Sequence, residues 1–152
     1  MNVSYINPFI LATEETFRTM LKSEAKPGKP SLKSTPSPSY DVSGIIGLSG
    51  DAIGAIVLSF PRIVALKVVS ALLGTEIKIV GPEVSDGIGE LANIVAGSAK
   101  QYMKGLHVTI SLPNVVIGKG HTVVTLQNAT AFVVPFTSAS GPFAMEVALK
   151  TK

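Results

Sequence analysis

The stretch YDVSGIIGLSGDAIGAIVLSF, residues 40–60, contains two apolar runs separated by a short polar turn. Residues 40–48 and 52–60 are rich in isoleucine, valine and leucine, and residues 49–51 between them are Ser-Gly-Asp. β-Branched residues favour strands, and a short turn that contains glycine commonly joins two strands in a hairpin. The stretch therefore predicts a β-hairpin in the middle of the chain, with residues 40–48 paired with residues 52–60.

Helices are predicted on both sides of this hairpin. In residues 8–22 apolar side chains recur at helical spacing, and Pro8 suits the first turn of a helix. Pro61 follows the hairpin directly and predicts the start of a second helix. Gly74 is a typical C-cap, so we expect this second helix to end there.

A third helix is predicted after Gly81-Pro82, with Ser85 or Asp86 as its N-cap and an end near Gly105. The last third of the chain is predicted to form an antiparallel meander of strands at residues 106–112, 114–117, 122–127, 129–136 and 143–150. The order of these elements predicts an α+β fold, in which a largely antiparallel β-sheet carries helices packed on one face.

The composition is that of a packed globular protein. Of the 152 residues 46% are hydrophobic and 15% are charged, so we expect a single domain over residues 1–152. No apolar run reaches the roughly 18 residues that span a bilayer, and the first residues lack the basic and apolar regions of a signal peptide. We therefore expect a cytoplasmic protein with no membrane partner. The absence of cysteine excludes disulfides, thiolate zinc sites and cysteine nucleophiles.

The net charge of +3 raises the question of a nucleic-acid partner. Lysines cluster with prolines in residues 22–33, but the two arginines, Arg18 and Arg62, are far apart in the sequence. A nucleic-acid-binding surface usually combines arginines with interleaved aromatic residues on one face. We therefore predict no nucleic-acid partner, and we assign the lysines to a loop or, in residues 29–34, to an irregular edge strand.

A row of polar side chains lies on the predicted third helix. At about 100° per residue, Asp86, Glu90 and Asn93 fall within an arc of about 60°, and Gly97 lies on the same side. The opposite side comprises Val84, Ile88, Leu91, Ala92, Val95, Ala99 and Tyr102. Because the apolar side must pack against a core, we expect the polar row to face solvent or a partner.

The row has structural as well as functional explanations. Asp86 can act as a helix cap, and Glu90 and Asn93 can form an ordinary solvated face. The glycines on or beside this face each cost a helix up to about 1 kcal/mol relative to alanine. Either a partner approaches the helix closely at Gly89 and Gly97, or these glycines pack tightly against another helix of the same chain.

Other chemical sites are not indicated. His107 and His121 have no carboxylate or histidine at ligand spacing, so we interpret them as core or surface residues rather than metal ligands. The chain has no Walker A, G-x-S-x-G or H-E-x-x-H motif. The sequence therefore predicts neither a metal site nor a catalytic nucleophile in this chain.

The pattern Asp86-x-x-x-Glu90-x-x-Asn93, with Pro113 as a later proline, resembles the signature of the CheC, CheX and FliY phosphatases of bacterial chemotaxis. Residues 56–61, IVLSFP, lead into a helix that ends in LLG, and residues 90–97 read ELANIVAG; both features are similar to the CheX branch. The motif occurs once, as in CheX, and the resemblance implies a homodimer.

The resemblance implies a CheC/CheX-like fold and an aspartyl-phosphate phosphatase. The substrate would be a phosphorylated CheY-type response regulator that carries Mg²⁺ in its own site, so the chain would need no cofactor of its own. Asn93 would position the attacking water, and Glu90 would pair with the active-site lysine of the regulator. Asp86, Gly89 and Gly97 would contact the regulator. The alternative on the same fold is a non-catalytic adaptor, either response-regulator-binding or flagellar-switch-like.

Overall fold

The computed structural model describes residues 5–33, 39–123, 125 and 131–151. Within these ranges the chain forms three helices, α1 (Asn7–Met20), α2 (Arg62–Leu73) and α3 (Pro82–Gln101). The strands are β1 (Ala25–Pro27), β2 (Ser31–Lys33), β3 (Val42–Gly50), β4 (Ala52–Phe60), β5 (Val108–Ile110), β6 (Asn114–Ile117), β7 (Ala131–Ser138) and β8 (Phe143–Thr151). All three predicted helices are confirmed. Gly74 is the C-cap of α2, with a φ of 70° that suits glycine.

The β3–β4 hairpin lies inside an antiparallel sheet of eight described strands. The strand order is β1-β7-β8-β4-β3-β5, with β2 also paired with β7 and β6 also paired with β3. Within the hairpin, Val42 pairs with Phe60 and Leu48 pairs with Gly54. The predicted hairpin and the predicted α+β fold are therefore confirmed.

The C-terminal strands do not form the predicted meander. β7 and β8 pair with each other, and β8 also pairs with β4. β5 and β6 instead pair with β3, on the other side of the hairpin. The meander prediction is wrong because a strand pattern in the sequence does not specify which sheet edge the strand joins. The predicted strand at residues 122–127 lies partly outside the described residues, and residues 122 and 123 belong to no strand.

The lysine- and proline-rich segment forms one edge of the sheet. β1 and β2 both pair with β7, so the edge strand predicted at residues 29–34 is confirmed over Ser31–Lys33, which form β2. Residue 34 lies outside the described residues. Lys33 of β2 also forms an ion pair with Glu146 of β8, with 2.7 Å between Nζ and Oε1. At least this lysine therefore has a role within the sheet.

α1 and α3 pack on one face of the sheet, as predicted. The ring of Phe17 in α1 stacks on the ring of Phe143 in β8, with their centroids 4.9 Å apart. α3 crosses β3 at Gly44, where a Cβ atom would lie 3.1 Å from the Cβ of Ala92. α2 packs mainly against α3. This arrangement buries one side of α3 and turns its opposite side outward.

Candidate active site

The candidate site lies on α3, which begins one turn earlier than predicted. Gly81 is the N-cap and Pro82 takes the first helical position, so the prediction that Ser85 or Asp86 caps the helix is wrong. Proline is well suited to this position because its missing N–H would have no partner in the first turn. Asp86 therefore lies in the second turn, and Glu83 is the acidic residue of the first turn.

The polar row faces outward as predicted. Asp86, Glu90 and Asn93 are all exposed. The buried side of α3 comprises Val84, Gly87, Ile88, Gly89, Leu91, Ala92, Val95, Ala96 and Ala99. In the described part of the chain, no side chain forms a hydrogen bond or an ion pair with any member of the row. The two carboxylates and the amide are therefore available to a partner.

Two glycines on the flanks of the row are explained by packing within the chain. A Cβ atom at Gly87 would lie 2.9 Å from the Val69 side chain of α2. A Cβ atom at Gly89 would lie 3.3 Å from Val115 of β6 and 3.5 Å from Pro113. The row consequently lies between α2 on one side and the β5–β6 segment, residues 108–117, on the other.

Gly89 and Gly97, which were both predicted to contact a partner, have different surroundings in the structure. Gly89 is buried and packs against the β5–β6 segment rather than against another helix, so the packing explanation is favoured there. Beyond the neighbouring backbone of α3, no atom of the described residues lies within 4 Å of the position of an added Cβ at Gly97. The contribution of Gly97 to a partner contact therefore stays a prediction. The contact between Gly87 and Val69 of α2 was not predicted, because no pattern in the sequence indicates which residues of two helices touch.

Pro113, the later proline of the motif, lies close to the row. It precedes β6 in the sequence and contacts Gly89, which is one helical turn before Asn93. Asn93 and Pro113, which are twenty positions apart in the sequence, are thus brought close together. The sequence alone could not establish this proximity, because it depends on β6 pairing with β3.

The C-terminal end of α3 is held against α1. Tyr102, predicted on the buried side, is exposed, and its hydroxyl donates a hydrogen bond to Glu15 of α1. This bond favours the protonated phenol and raises the pKa of Tyr102 above its usual value of 10.0. The bond links the two helices at the far end of α3 from Asp86.

The histidines have ordinary surroundings. His107 is exposed, and its backbone N–H donates to Asp51. The ring of His121 lies within hydrogen-bond distance of Ser43 Oγ, at 2.8 Å, and of the Gly118 carbonyl, at 2.6 Å. Among the described residues no group of three or more histidine, aspartate or glutamate side chains is arranged to hold a metal ion. None of the described helices is both long enough and apolar enough to cross a membrane.

Comparison with known proteins identifies the family. The family model for "Chemotaxis phosphatase CheX" matches residues 42–137, a range that includes the polar row and Pro113. The CheY-P phosphatase CheX of Thermotoga maritima is 36% identical over 122 residues, which cover 78% of this chain and 79% of that protein. This chain belongs to the CheX family.

Solved CheX structures share the fold throughout. A CheX protein from Desulfovibrio desulfuricans superposes with a TM-score of 0.90 at 29% identity, covering 97% of this chain and 100% of the other. CheX of Borrelia burgdorferi, solved as a CheX-CheY-BeF3-Mg²⁺ complex, superposes with a TM-score of 0.83 at 28% identity, with 98% and 99% coverage. The helices and sheet described above are therefore those of the CheX family.

Proposed function

We propose that this chain is a phosphatase that hydrolyses the aspartyl phosphate of a phosphorylated CheY-type response regulator. The observation that carries the proposal is the outward-facing pair Glu90 and Asn93 on α3 of a CheX-family chain. The Thermotoga maritima relative is named a CheY-P phosphatase, and the Borrelia burgdorferi structure is a complex with CheY.

Asn93 is the proposed catalytic residue. Its side chain would enter the active site of the regulator and hold a water molecule in line with the phosphorus atom. An amide can both accept a hydrogen bond from this water and donate one, and it adds no negative charge beside the phosphate. Phosphoryl transfer depends mainly on positioning and electrostatic stabilisation, so one well-placed amide is a sufficient contribution from this chain.

Glu90 is the proposed docking residue. It lies just under one helical turn before Asn93, so both side chains can reach the same partner surface. Glu90 would form an ion pair with the active-site lysine of the regulator and thereby set the register in which Asn93 enters. Asp86 lies a further turn away and would add a second negative charge to the same face. Gly97, where the described residues leave open space at the position that a Cβ atom would take, would let the regulator approach the helix.

The remaining components of the site are proposed to belong to the partner. The regulator would supply the phosphoryl group, the lysine and the Mg²⁺ that offsets the phosphate charge, so the chain needs no cofactor of its own. We also propose that the protein is a homodimer, acts in the cytoplasm where its substrate would be found, and has no nucleic-acid partner.

A phosphate-release assay tests the proposed function directly. A CheY-type regulator is phosphorylated, and its loss of phosphate is followed with and without this protein. We expect release at least about 100-fold faster than autodephosphorylation, which corresponds to about 2.7 kcal/mol of barrier lowering. Binding without acceleration would instead support the adaptor alternative, and the absence of both would exclude either function for that regulator.

Replacing Glu90 with glutamine is expected to weaken docking in a salt-dependent way. At low ionic strength the Kd for a regulator loaded with BeF3 and Mg²⁺, a mimic of the phosphorylated form, should rise about tenfold. The difference from wild type should shrink at about 0.5 M salt, because salt screens the ion pair that wild type retains. Calorimetric titrations at two salt concentrations measure both values.

The matched control is Glu24→Gln, which removes the same charge from an exposed glutamate beside β1. β1 and β5 lie at opposite ends of the strand order, so Glu24 is remote from the β5–β6 segment and the row. We expect the control to bind like wild type. An equal loss of affinity in both variants would mean that net charge, rather than a contact of Glu90, drives docking.

A further inference from the structure

Leu112 is the most exposed large hydrophobic side chain in the described part of the chain, with 85% of its surface accessible. It lies in the segment of residues 111–113 that connects β5 to β6. The side chain lies outside the core and is accessible to a partner.

The segment is a β-bulge on an edge of the sheet. Ile110 of β5 pairs with Leu48, and Asn114 of β6 pairs with Ile45, both in β3. Three residues, 111–113, therefore lie opposite the two residues 46 and 47. An extra residue of this kind bends the strand and redirects its side chains, and such bulges are frequent next to active sites.

Hydrogen bonds hold the backbone of the bulge in place. The N–H of Ser111 donates to the Gly47 carbonyl at 2.9 Å, and the N–H of Gly47 donates to Ser111 Oγ at 2.8 Å. The same hydroxyl donates to the Leu112 carbonyl at 2.8 Å. Pro113 then packs on Gly89 of α3. Leu112 is thus an apolar side chain presented to water by an ordered backbone.

The position of the bulge connects it to the proposed docking surface. Leu112 is covalently next to Pro113, which contacts α3 one turn before Asn93. A protein partner typically covers about 800 Å² on each side of an interface. A regulator that receives Asn93 in its active site would therefore also cover the bulge.

We propose that Leu112 is an apolar anchor that binds the phosphorylated response regulator beside its phosphorylation site, an inference that rests on the function proposed above. The polar row contributes the ion pair of Glu90 and the water-positioning amide of Asn93. Leu112 contributes apolar surface that becomes buried on binding. Removal of apolar surface from water is the main favourable term in most protein–protein association. Because hydrogen bonds already order the bulge, binding costs little conformational entropy there. The regulator must offer an apolar depression next to its phosphorylated aspartate.

Replacing Leu112 with serine tests the proposal. We expect the Kd for a CheY-type regulator loaded with BeF3 and Mg²⁺ to rise about tenfold, the loss that follows from leaving one leucine side chain unburied. In the hydrolysis assay KM should rise by a similar factor, while kcat changes by less than about twofold, because Leu112 does not touch the reacting atoms.

The matched control is Leu32→Ser, which changes an exposed leucine of β2, a strand that pairs with β7 far from the bulge. Its Kd should equal that of wild type. A Leu112→Ser protein that binds within about twofold of wild type would overturn the proposal. So would a variant that changes from dimer to monomer in light scattering yet binds the regulator normally, because Leu112 would then join two copies of this chain.

The same experiment separates this inference from the proposed function. If wild type neither binds nor dephosphorylates the regulator, both proposals fail. If wild type is active, Asn93→Ala is inactive and Leu112→Ser binds normally, only the anchor is wrong.

Discussion

Replacing Asn93 with alanine is expected to reduce protein-stimulated phosphate release by about 100-fold or more, to a rate close to autodephosphorylation of the regulator. The proposed reaction has no nucleophile or metal ion from this chain that could compensate. Loss of the amide therefore removes the group that holds water in line with phosphorus. The rate is measured as phosphate release under single-turnover conditions, with the protein in excess over the phosphorylated regulator.

Folding and docking should survive this change. Asn93 is exposed and has no hydrogen-bond partner in the described part of the chain. Alanine favours a helix more than asparagine does, by about 0.5 kcal/mol, so the variant should unfold at the same temperature or slightly higher. Its affinity for the BeF3-loaded regulator should stay within a few-fold of wild type, because Glu90 is unchanged.

The matched control is Gln101→Ala, which removes another exposed amide from α3, two turns closer to its C-terminal end. This control should hydrolyse at the wild-type rate. If Asn93→Ala releases phosphate as fast as wild type, Asn93 does not position the water and the proposed mechanism is wrong. If the two variants lose activity equally, the amide at position 93 has no special role.

Replacing Phe143 with alanine is expected to lower the free energy of unfolding by about 3–5 kcal/mol. Phe143 is fully buried at the start of β8, and its ring stacks on three others. The centroid distances are 4.9 Å to Phe17, 5.0 Å to Phe60 and 5.0 Å to Phe136. Truncation leaves a cavity where α1 meets three strands and also removes the ring–ring contacts.

Denaturant unfolding followed by circular dichroism measures this loss. Phe143→Leu, which preserves most of the volume, should cost less than about 1.5 kcal/mol. Leu32→Ala, at an exposed position, should change stability by at most about 0.5 kcal/mol. A loss below about 1 kcal/mol for Phe143→Ala would mean that the surrounding rings close the cavity, so the stack would not be the centre of the core.

Local features of this protein were predictable because their causes are local. The β3–β4 hairpin follows from two apolar runs and a turn that contains Gly50, whose φ of 102° is disfavoured for other residues. The end of α2 follows from Gly74 in the left-handed conformation. The outward direction of Asp86, Glu90 and Asn93 follows from helical periodicity and from the apolar residues opposite them.

The prediction failed at the start of α3 for a local reason as well. Gly81-Pro82 has the pattern of a break before the helix, whereas Pro82 takes the first helical position, where proline is favoured. The helix therefore began earlier, and Asp86 could not be its cap. The same preference holds at Pro8, which lies in the first turn of α1.

By itself the sequence determined the three helices, the β3–β4 hairpin, the polar row and the resemblance on which the proposed chemistry rests, because each depends mainly on residues close together in the chain. Only the tertiary structure decided that β5 and β6 join β3, that Gly87 and Gly89 are packing sites, and that Pro113 packs on α3 beside the row. These arrangements depend on which strand edges pair and which helices touch. Such contacts join distant residues, and no local pattern encodes them.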